Sequence, residues 1–351
     1  MSQQRLVTIN VGSSSLRLTI FSGETRRELH LDARAGGQGL DQLEAAPDVV
    51  VHRIVHGGPS LRATTLIDDA CLGQLRAAIP LAPLHLPRAL DWIETARVRW
   101  PAARALSVFD TALYTTLPPE ATTYALPPKI RALGVRRYGF HGLAHQSMLR
   151  ALDGVPRAIT FQLGSGASVT ASRDGRAVDT SMGFSPLGGL VMATRPGDVD
   201  PGVLTFLMRQ GLDVDAIEEL LEHQSGLQGL AGDADMRALL ARDDADARLA
   251  LAVYVARARK YLGAFWAVLG GCDAIAFGGG VGEHAPAIRS AILEGCDWAG
   301  IAVDERANAA AGKSLARISA PSSRVAVWVT PVDEAAVMRD EALTFLRHER
   351  Q

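Results

Sequence analysis

Lysine is the scarcest charged residue of this 351-residue chain. Of its 36 basic residues only Lys129, Lys260 and Lys313 are lysines, so 36 − 3 = 33 are arginines. A P-loop needs G-x-x-x-x-G-K-[ST]. Gly312-Lys313-Ser314 offers the end of that pattern, but Ala307 stands at the first glycine, and Glu305 to Ala311 reads as helix rather than strand. A P-loop is excluded, and anions are expected to be met by arginine. Cysteine is scarce too. Cys71, Cys272 and Cys296 are odd in number and far apart, which fits a reducing compartment and neither a disulfide framework nor a zinc site. Net charge is nearly absent, 36 basic against 38 acidic residues, which argues against nucleic-acid binding by bulk positive charge. No apolar leader stretch opens the chain, so no signal peptide is expected. The most apolar long stretch, Leu249 to Cys272, carries Arg257, Arg259 and Lys260 near its centre; it reads as a buried helix, not a membrane span. A soluble cytoplasmic protein of about two domains is expected.

What is present is strand and turn in the first half and helix in the second. Arg5–Asn10 and Leu16–Phe21 alternate with period two around Gly12-Ser13-Ser14-Ser15, the pattern of a hairpin. Further strands are expected near 28–31, 48–56, 105–109, 157–163, 169–172, 177–180, 273–277 and 325–330. Helices are expected at 68–78, 87–99, 201–211, 214–223, 245–270, 284–294 and 333–348. The second half restarts like the first: Asn10-Val-Gly-Ser-Ser-Ser lines up with Gln162-Leu-Gly-Ser-Gly-Ala. This suggests a duplicated domain, although Gly/Ser turns are common in unrelated hairpins.

Several segments could carry chemistry. Backbone N–H groups in a Gly/Ser turn form an anion-binding nest. Gly278-Gly279-Gly280-Val281-Gly282-Glu283 follows a buried strand and precedes a helix, an arrangement that can contact nucleotide or be only a tight turn. His141 and His145 have the i, i+4 spacing of zinc ligands, but Gly142 lies between them and the glutamate of that motif is missing. Arg195 sits among small loop residues, where a solvated arginine is the plainer reading. Asp110 ends an apolar strand, where α/β folds place sites. Glu334 opens the last helix, where an acid is favourable without any further role.

Together these segments resemble the acetate kinase family, from residue 5 to about 345. The resemblance is carried by Asn10-Val-Gly-Ser-Ser-Ser15, His52-Arg-Ile-Val-His-Gly-Gly58, Leu81-Ala-Pro-Leu-His85, Val108-Phe-Asp-Thr-Ala112, Tyr138-Gly-Phe-His-Gly142, Asp179-Thr-Ser-Met-Gly-Phe-Ser-Pro-Leu187, Gly189-Leu-Val-Met192, Gly197-Asp-Val-Asp-Pro201 and Gly282-Glu283, in family order. It implies an α/β fold of the duplicated ribonuclease-H-like (actin, Hsp70 and sugar-kinase) type with an interdomain cleft. It also implies an acyl- and phosphate-binding domain over 1–148 plus 334–351 and a nucleotide-binding domain over 149–333. The implied activity is reversible phosphoryl transfer from ATP to acetate, giving acetyl phosphate and ADP, with Mg2+ (or Mn2+), in a homodimer that needs neither membrane nor nucleic acid. The resemblance assigns catalysis to Arg53, His85, Asp110, His141 and Arg195, and metal binding to Asn10, Asp110 and Glu334. Nucleotide and phosphate fall to Asn10, Ser13, Ser15, Arg17, Gly164, Ser165, Gly166, Gly279, Gly280, Gly282 and Glu283, and the acyl pocket to Val55, Leu84, Phe140 and Pro186. A smaller side chain at the Val55 position would favour propionate.

The chain departs from the family pattern mainly on the nucleotide side. Gln162 and Ser165 replace His and Asn of the second hairpin, Leu143-Ala144 replaces Thr-Ser, Gly188 a Glu, Leu86 an Asn, Tyr114 a His and Arg17 a Lys. Gly278-Gly279 and His284-Ala285 replace Thr-Ala and Asn-Ser, and the segment from Phe21 to Asp48 is short. A propionate or other short-chain carboxylate kinase, and a non-catalytic nucleotide-binding paralogue, are the alternatives.

Overall fold

A computed structural model describes residues 4–12, 15–32, 40, 42–43 and 45–349. The chain divides into two compact units. Unit 1 holds 1–115, 140–143 and 333–351; unit 2 holds 116–139 and 144–332.

Unit 1 is built on β1 (Arg5–Val11), β2 (Ser15–Ser22), β3 (Thr25–Asp32), β4 (Val49–Ile54), β5 (Thr65–Leu66) and β6 (Arg104–Phe109), in the order β3-β2-β1-β4-β6-β5. β1, β2 and β3 form an antiparallel meander, and β1, β4 and β6 run parallel. Side chains alternate between the faces of a strand, and both faces are buried here. Leu6, Val49, Val51, Leu106 and Val108 meet Val337, Met338, Ala342 and Leu346 of the helix Glu334–His348. Val7, Ile9 and Val50 meet Trp92 and Ala96 of the helix Leu86–Arg99, with Trp100 just beyond it. Each large apolar side chain so covered contributes about 1.5–3 kcal/mol.

Unit 2 repeats the plan with β7 (Arg157–Leu163), β8 (Ala167–Arg173), β9 (Arg176–Thr180), β10 (Ala274–Gly278), β11 (Ala316–Arg317) and β12 (Ala326–Val329), in the order β11-β12-β10-β7-β8-β9. Again three strands form an antiparallel meander and β7, β10 and β12 run parallel. The duplication suggested by the two Gly/Ser turns is therefore a duplication of sheet topology. Met148 of the helix Gly142–Ala151, with Leu152 just beyond it, covers Ala158, Ala274 and Ala276 on one face. Phe161 and Phe277 stack at 5.1 Å between centroids. The long helix Ala245–Leu269 is started by Asp244, which accepts from the amides of Asp246 and Ala247, and is stopped by left-handed Gly270.

Local structure differs from expectation in a few places. The glycine run is not a loop leading to a helix: Gly279–His284 is itself helical, followed by Pro286–Leu293. Position 201–211 gives a shorter helix, Pro201–Arg209. The Pro-rich loop after Leu117 contains two single-turn helices, Pro119–Thr122 and Pro128–Arg131. Among the described residues no helix is long and apolar enough to cross a membrane.

Candidate functional site

In unit 1, strand register gathers the chemistry. Ile9 lies beside His52 and Arg53 beside Val108, so Asn10, Arg53 and Asp110 emerge together at the C-terminal ends of the parallel strands. They form one network. Arg53 Nε donates to Asp110 Oδ1 at 3.0 Å and its NH2 group to Oδ2 at 2.6 Å. The remaining NH1 group donates to Asn10 Oδ1 at 2.9 Å, and Asn10 Nδ2 donates to Glu334 Oε2 at 2.6 Å. Glu334 also lies 3.7 Å from Arg53. The Arg53, Asp110 and Glu334 side chains are only 15 %, 1 % and 15 % exposed, so this charge is held out of water. Asp333 carries Glu334 into place: it caps the last helix through Ala336 N and pairs with Arg26 of β3.

Two carboxylates face one guanidinium. Burial would lower Arg53, but Asp110 and Glu334 hold it above its ordinary value. Burial likewise pushes the Asp110 carboxyl up; Arg53 draws it back only in part, and Glu334 adds to the push. The two carboxylates hold Arg53 up, while Asp110 is raised first by its burial and further by Glu334, so negative charge is in surplus in a low-dielectric place. The donor set is hard oxygen from two carboxylates and an amide, which is what Mg2+ accepts when water and phosphate complete its shell. The surplus charge is of the sign a cation offsets, so these residues fit the ion.

The other unit 1 candidates lie close by in the chain. His141 has φ 58°, a left-handed conformation costing about 1–2 kcal/mol for a non-glycine residue. Two contacts fix its neighbours: Tyr114 Oη donates to the Phe140 carbonyl at 2.8 Å, and Gly142 N donates to the Asp110 carbonyl at 2.9 Å. The Phe140 ring meets His56 edge-on at 5.4 Å. Val55 follows β4, Leu84 is 48 % exposed, and His85 precedes the helix Leu86–Arg99. Ser13 lies outside the described residues; Ser15 opens β2, and Arg17 is paired across the hairpin with Asn10.

In unit 2 the corresponding features are largely backbone. Gly164 N donates to the Gly166 carbonyl at 2.9 Å, closing the turn, and the Ser165 carbonyl accepts from Ala193 N at 3.0 Å. β7 brings this turn to the glycine run, because Gln162 is registered with Gly278. Gly279 has φ +78°, and a Cβ there would lie 2.7 Å from the Leu163 carbonyl. Glu283 Oε1 accepts from Gly279 N at 3.0 Å and Val332 N at 3.2 Å, tying its own helix start. Arg289, fully buried, donates to the Gly282 and Glu283 carbonyls at 2.8 and 2.9 Å. Arg195 is paired with Glu222 at 2.7 Å, and Pro186 is buried beside it with its carbonyl 3.5 Å from Arg195 NH1.

His145 is not poised as a ligand. Its Nδ1 bonds Thr160 Oγ1 at 2.7 Å and its Nε2 bonds Ser168 Oγ at 2.8 Å, and burial pushes it down to about 3. Tyr114 is visible in the sequence only as a departure from the family pattern, and Arg289 and Glu222 are not visible there at all. Each acts through a contact with a distant segment, and none stands in a recognisable motif.

A duplicated sheet fold with a buried acid–arginine network at one set of strand ends and glycine turns at the other is that of a phosphotransferase of the actin and sugar-kinase type. The acetokinase family model matches residues 36–340. An acetate kinase of Streptomyces coelicolor is 47 % identical over 310 residues, covering 85 % of this chain and 76 % of that protein. The crystal structure of Porphyromonas gingivalis acetate kinase superposes with a TM-score of 0.88 at 32 % identity, over 98 % of this chain and all of that one. A propionate kinase from Francisella tularensis gives 0.85 at 28 % identity, over 96 % of this chain and 98 % of that one. The chain belongs to the acetokinase family.

Proposed function

We propose that this protein is an acetate kinase, transferring the γ-phosphoryl group of ATP reversibly to acetate. The observation that carries this is the buried Asn10–Arg53–Asp110–Glu334 network at the strand ends of unit 1. An acetate oxygen forms the new bond to phosphorus as the bond to the ADP oxygen breaks, in line. Acetate is already ionised at neutral pH, so no side chain need remove a proton. The transition state is loose and its charge spreads over three equatorial oxygens, so alignment and electrostatics do most of the catalysis. Arg53 and Arg195 supply charge-assisted donors. His141 stabilises the transferring group, and His85 supports it. Val55, Leu84, Phe140 and Pro186 limit the acyl group to about acetate size. Asn10, Asp110 and Glu334 would hold Mg2+, which when bound neutralises phosphate charge. Most of the residues assigned to the acyl and phosphoryl groups belong to unit 1. Unit 2 is assigned the nucleotide, through Gly164, Ser165, Gly166, Gly279, Gly280, Gly282 and Glu283.

One assay tests this. Purified protein receives Mg-ATP with acetate, propionate or butyrate, and hydroxylamine traps the acyl phosphate. Acetyl hydroxamate is expected in excess over propionyl. A preference for propionate would make it a propionate kinase, and no hydroxamate with any acid would leave a non-catalytic nucleotide binder.

We also infer a cytoplasmic homodimer. The helix Pro201–Arg209 has no buried residue, exposes Val203, Phe206 and Met208, and carries no charge before Arg209. Such a face has no charge for a charged partner to complement, and a second copy supplies a matching one. Phe206→Glu is expected to halve the mass seen by light scattering; an unchanged mass would remove this face from the interface.

A further inference from the structure

The segment leading into Arg195 is tied mainly to residues 222–228. Thr194 Oγ1 donates to the Glu222 carbonyl at 2.6 Å. Amides of Ser225, Leu227 and Gln228 donate to the carbonyls of Thr194, Met192 and Ala193 at 3.0, 3.0 and 2.9 Å. Gly226 permits this approach: its φ is +62°, and a Cβ there would lie 2.7 Å from the Arg195 carbonyl. On the other side, Ala193 N reaches the Ser165 carbonyl of the glycine turn at 3.0 Å.

The guanidinium itself is held by one carboxylate oxygen. Glu222 Oε2 accepts from Nε at 2.7 Å, and the pair is well shielded, at 20 % and 12 % side-chain exposure. Pro186 touches NH1 only at the 3.5 Å limit. This differs from Arg53, whose Nε, NH1 and NH2 groups are all committed to Asp110 and Asn10. A single anchor at Nε leaves the NH1/NH2 fork of Arg195 aimed away from its own partner, the geometry that receives an oxyanion by two parallel hydrogen bonds.

We propose that Glu222 is a positioning residue for catalysis, fixing Arg195 through Nε so that its terminal fork is presented to the oxyanion of the reaction. The inference rests on the reading that Arg195 acts on substrate. A carboxylate suits the task because its charge-assisted bond is stronger than a neutral one, and misplacement of a catalytic group by about 1 Å costs up to ~100-fold in rate.

The test is steady-state kinetics with acetate and Mg-ATP on Glu222→Ala, Glu222→Gln, Arg195→Ala and Glu222→Ala/Arg195→Ala, with thermal unfolding of each. Glu219→Ala, on the exposed side of the same helix, is the control. Glu222→Ala is expected to lower kcat about 10- to 100-fold with little change in KM for ATP. Glu222→Gln keeps an oxygen acceptor for Nε and is expected to recover most of that loss. The double variant should be no slower than Arg195→Ala alone. A Glu222→Ala enzyme within twofold of the parent while Arg195→Ala is slow overturns the proposal and spares the reading of Arg195. So does a double variant slower by the full product of the two effects. A fully active Arg195→Ala overturns both. Should Glu222→Ala not fold, Glu222→Asp decides: it keeps the charge but withdraws it by one methylene, so an unchanged kcat overturns the proposal.

Discussion

The two sheets place different chemistry at equivalent points. In unit 1 the strand-end positions of β1, β4 and just beyond β6 hold Asn10, Arg53 and Asp110. Following the same registers in unit 2, Gln162 stands for Asn10, Gly278 for Arg53, and Val332 for Asp110. One topology has thus been kept twice while its ionic cluster survives in one copy. The first sheet offers charge, which suits a small carboxylate and a transferring phosphoryl group. The second offers bare backbone and turns, which suit close approach by a larger ligand and hydrogen bonding from main-chain amides. A duplicated fold need not duplicate its site, because the sheet needs only its apolar faces to stand, and the strand ends are free to diverge.

The sharpest way to break this comparison is to remove the charge from unit 1. Arg53→Ala is expected to lower kcat by about a thousandfold or more and, by stranding buried Asp110, to cost about 3–5 kcal/mol in stability. Turnover and chemical denaturation read the two effects separately, and normal turnover would remove Arg53 from the catalytic set.

Buried neutral histidines make a second test, spread over both units. Burial pushes His52 and His145 down to about 3 and His56 to about 4. Each binds its proton more readily when unfolded, so the stability these rings contribute is complete above about pH 6.5 and is lost as pH falls toward 3–4. Three rings titrating together give a slope of roughly 4 kcal/mol per pH unit at its steepest. Denaturation midpoints measured from pH 7.5 to 5 should fall accordingly, and a flat profile would contradict the neutral, buried rings.

Next comes the backbone side. Gly279→Ala forces a Cβ onto a left-handed residue against the Leu163 carbonyl and is expected to cost about 1–3 kcal/mol. ATP affinity by calorimetry should weaken more than acetate KM. An equal loss in both would erase the division of labour between the units. Val55→Ala should shift the propionate-to-acetate ratio of kcat/KM by roughly tenfold, without changing nucleotide binding. Smallest is Ser165→Asn. The Ser165 side chain is exposed and its structural contact is made by the carbonyl, so stability should change by less than about 0.5 kcal/mol; a larger loss in thermal unfolding would show the side chain to be structural.

Much of this fold is legible in the sequence because the parallel strands are written as short apolar runs, most of them ended by glycine or a charged residue. The two-residue edge strands β5 and β11 are not legible, since so short a segment has no period to detect. The helix Gly142–Ala151 hides because it starts with glycine and buries His145, so its inward face does not read as apolar. Helicity over Gly279–His284 runs against glycine's low propensity and is held by the helix's own Glu283 side chain, which accepts from Gly279 N, and by Arg289 from beyond it. Candidate site residues could be named singly from motifs. Their partnership could not, because Arg53 and Asp110, or Asn10 and Glu334, meet only through sheet register and the return of the last helix. Tyr114 illustrates the limit: in sequence it is a departure, and in the fold its hydroxyl secures the carbonyl before His141.

The return of that last helix has a consequence for synthesis. The helix Glu334–His348 belongs to unit 1 but is translated after all of unit 2. Until it leaves the ribosome, Leu6, Val49, Val51, Leu106 and Val108 lack the cover of Val337, Met338, Ala342 and Leu346, and the Arg53 network lacks Glu334. Unit 2 can complete its sheet first, while unit 1 waits with one apolar face open and exposed to aggregation. One segment thus does two things at once: the piece that seals the first core is the same piece that brings Glu334 to the Arg53 network.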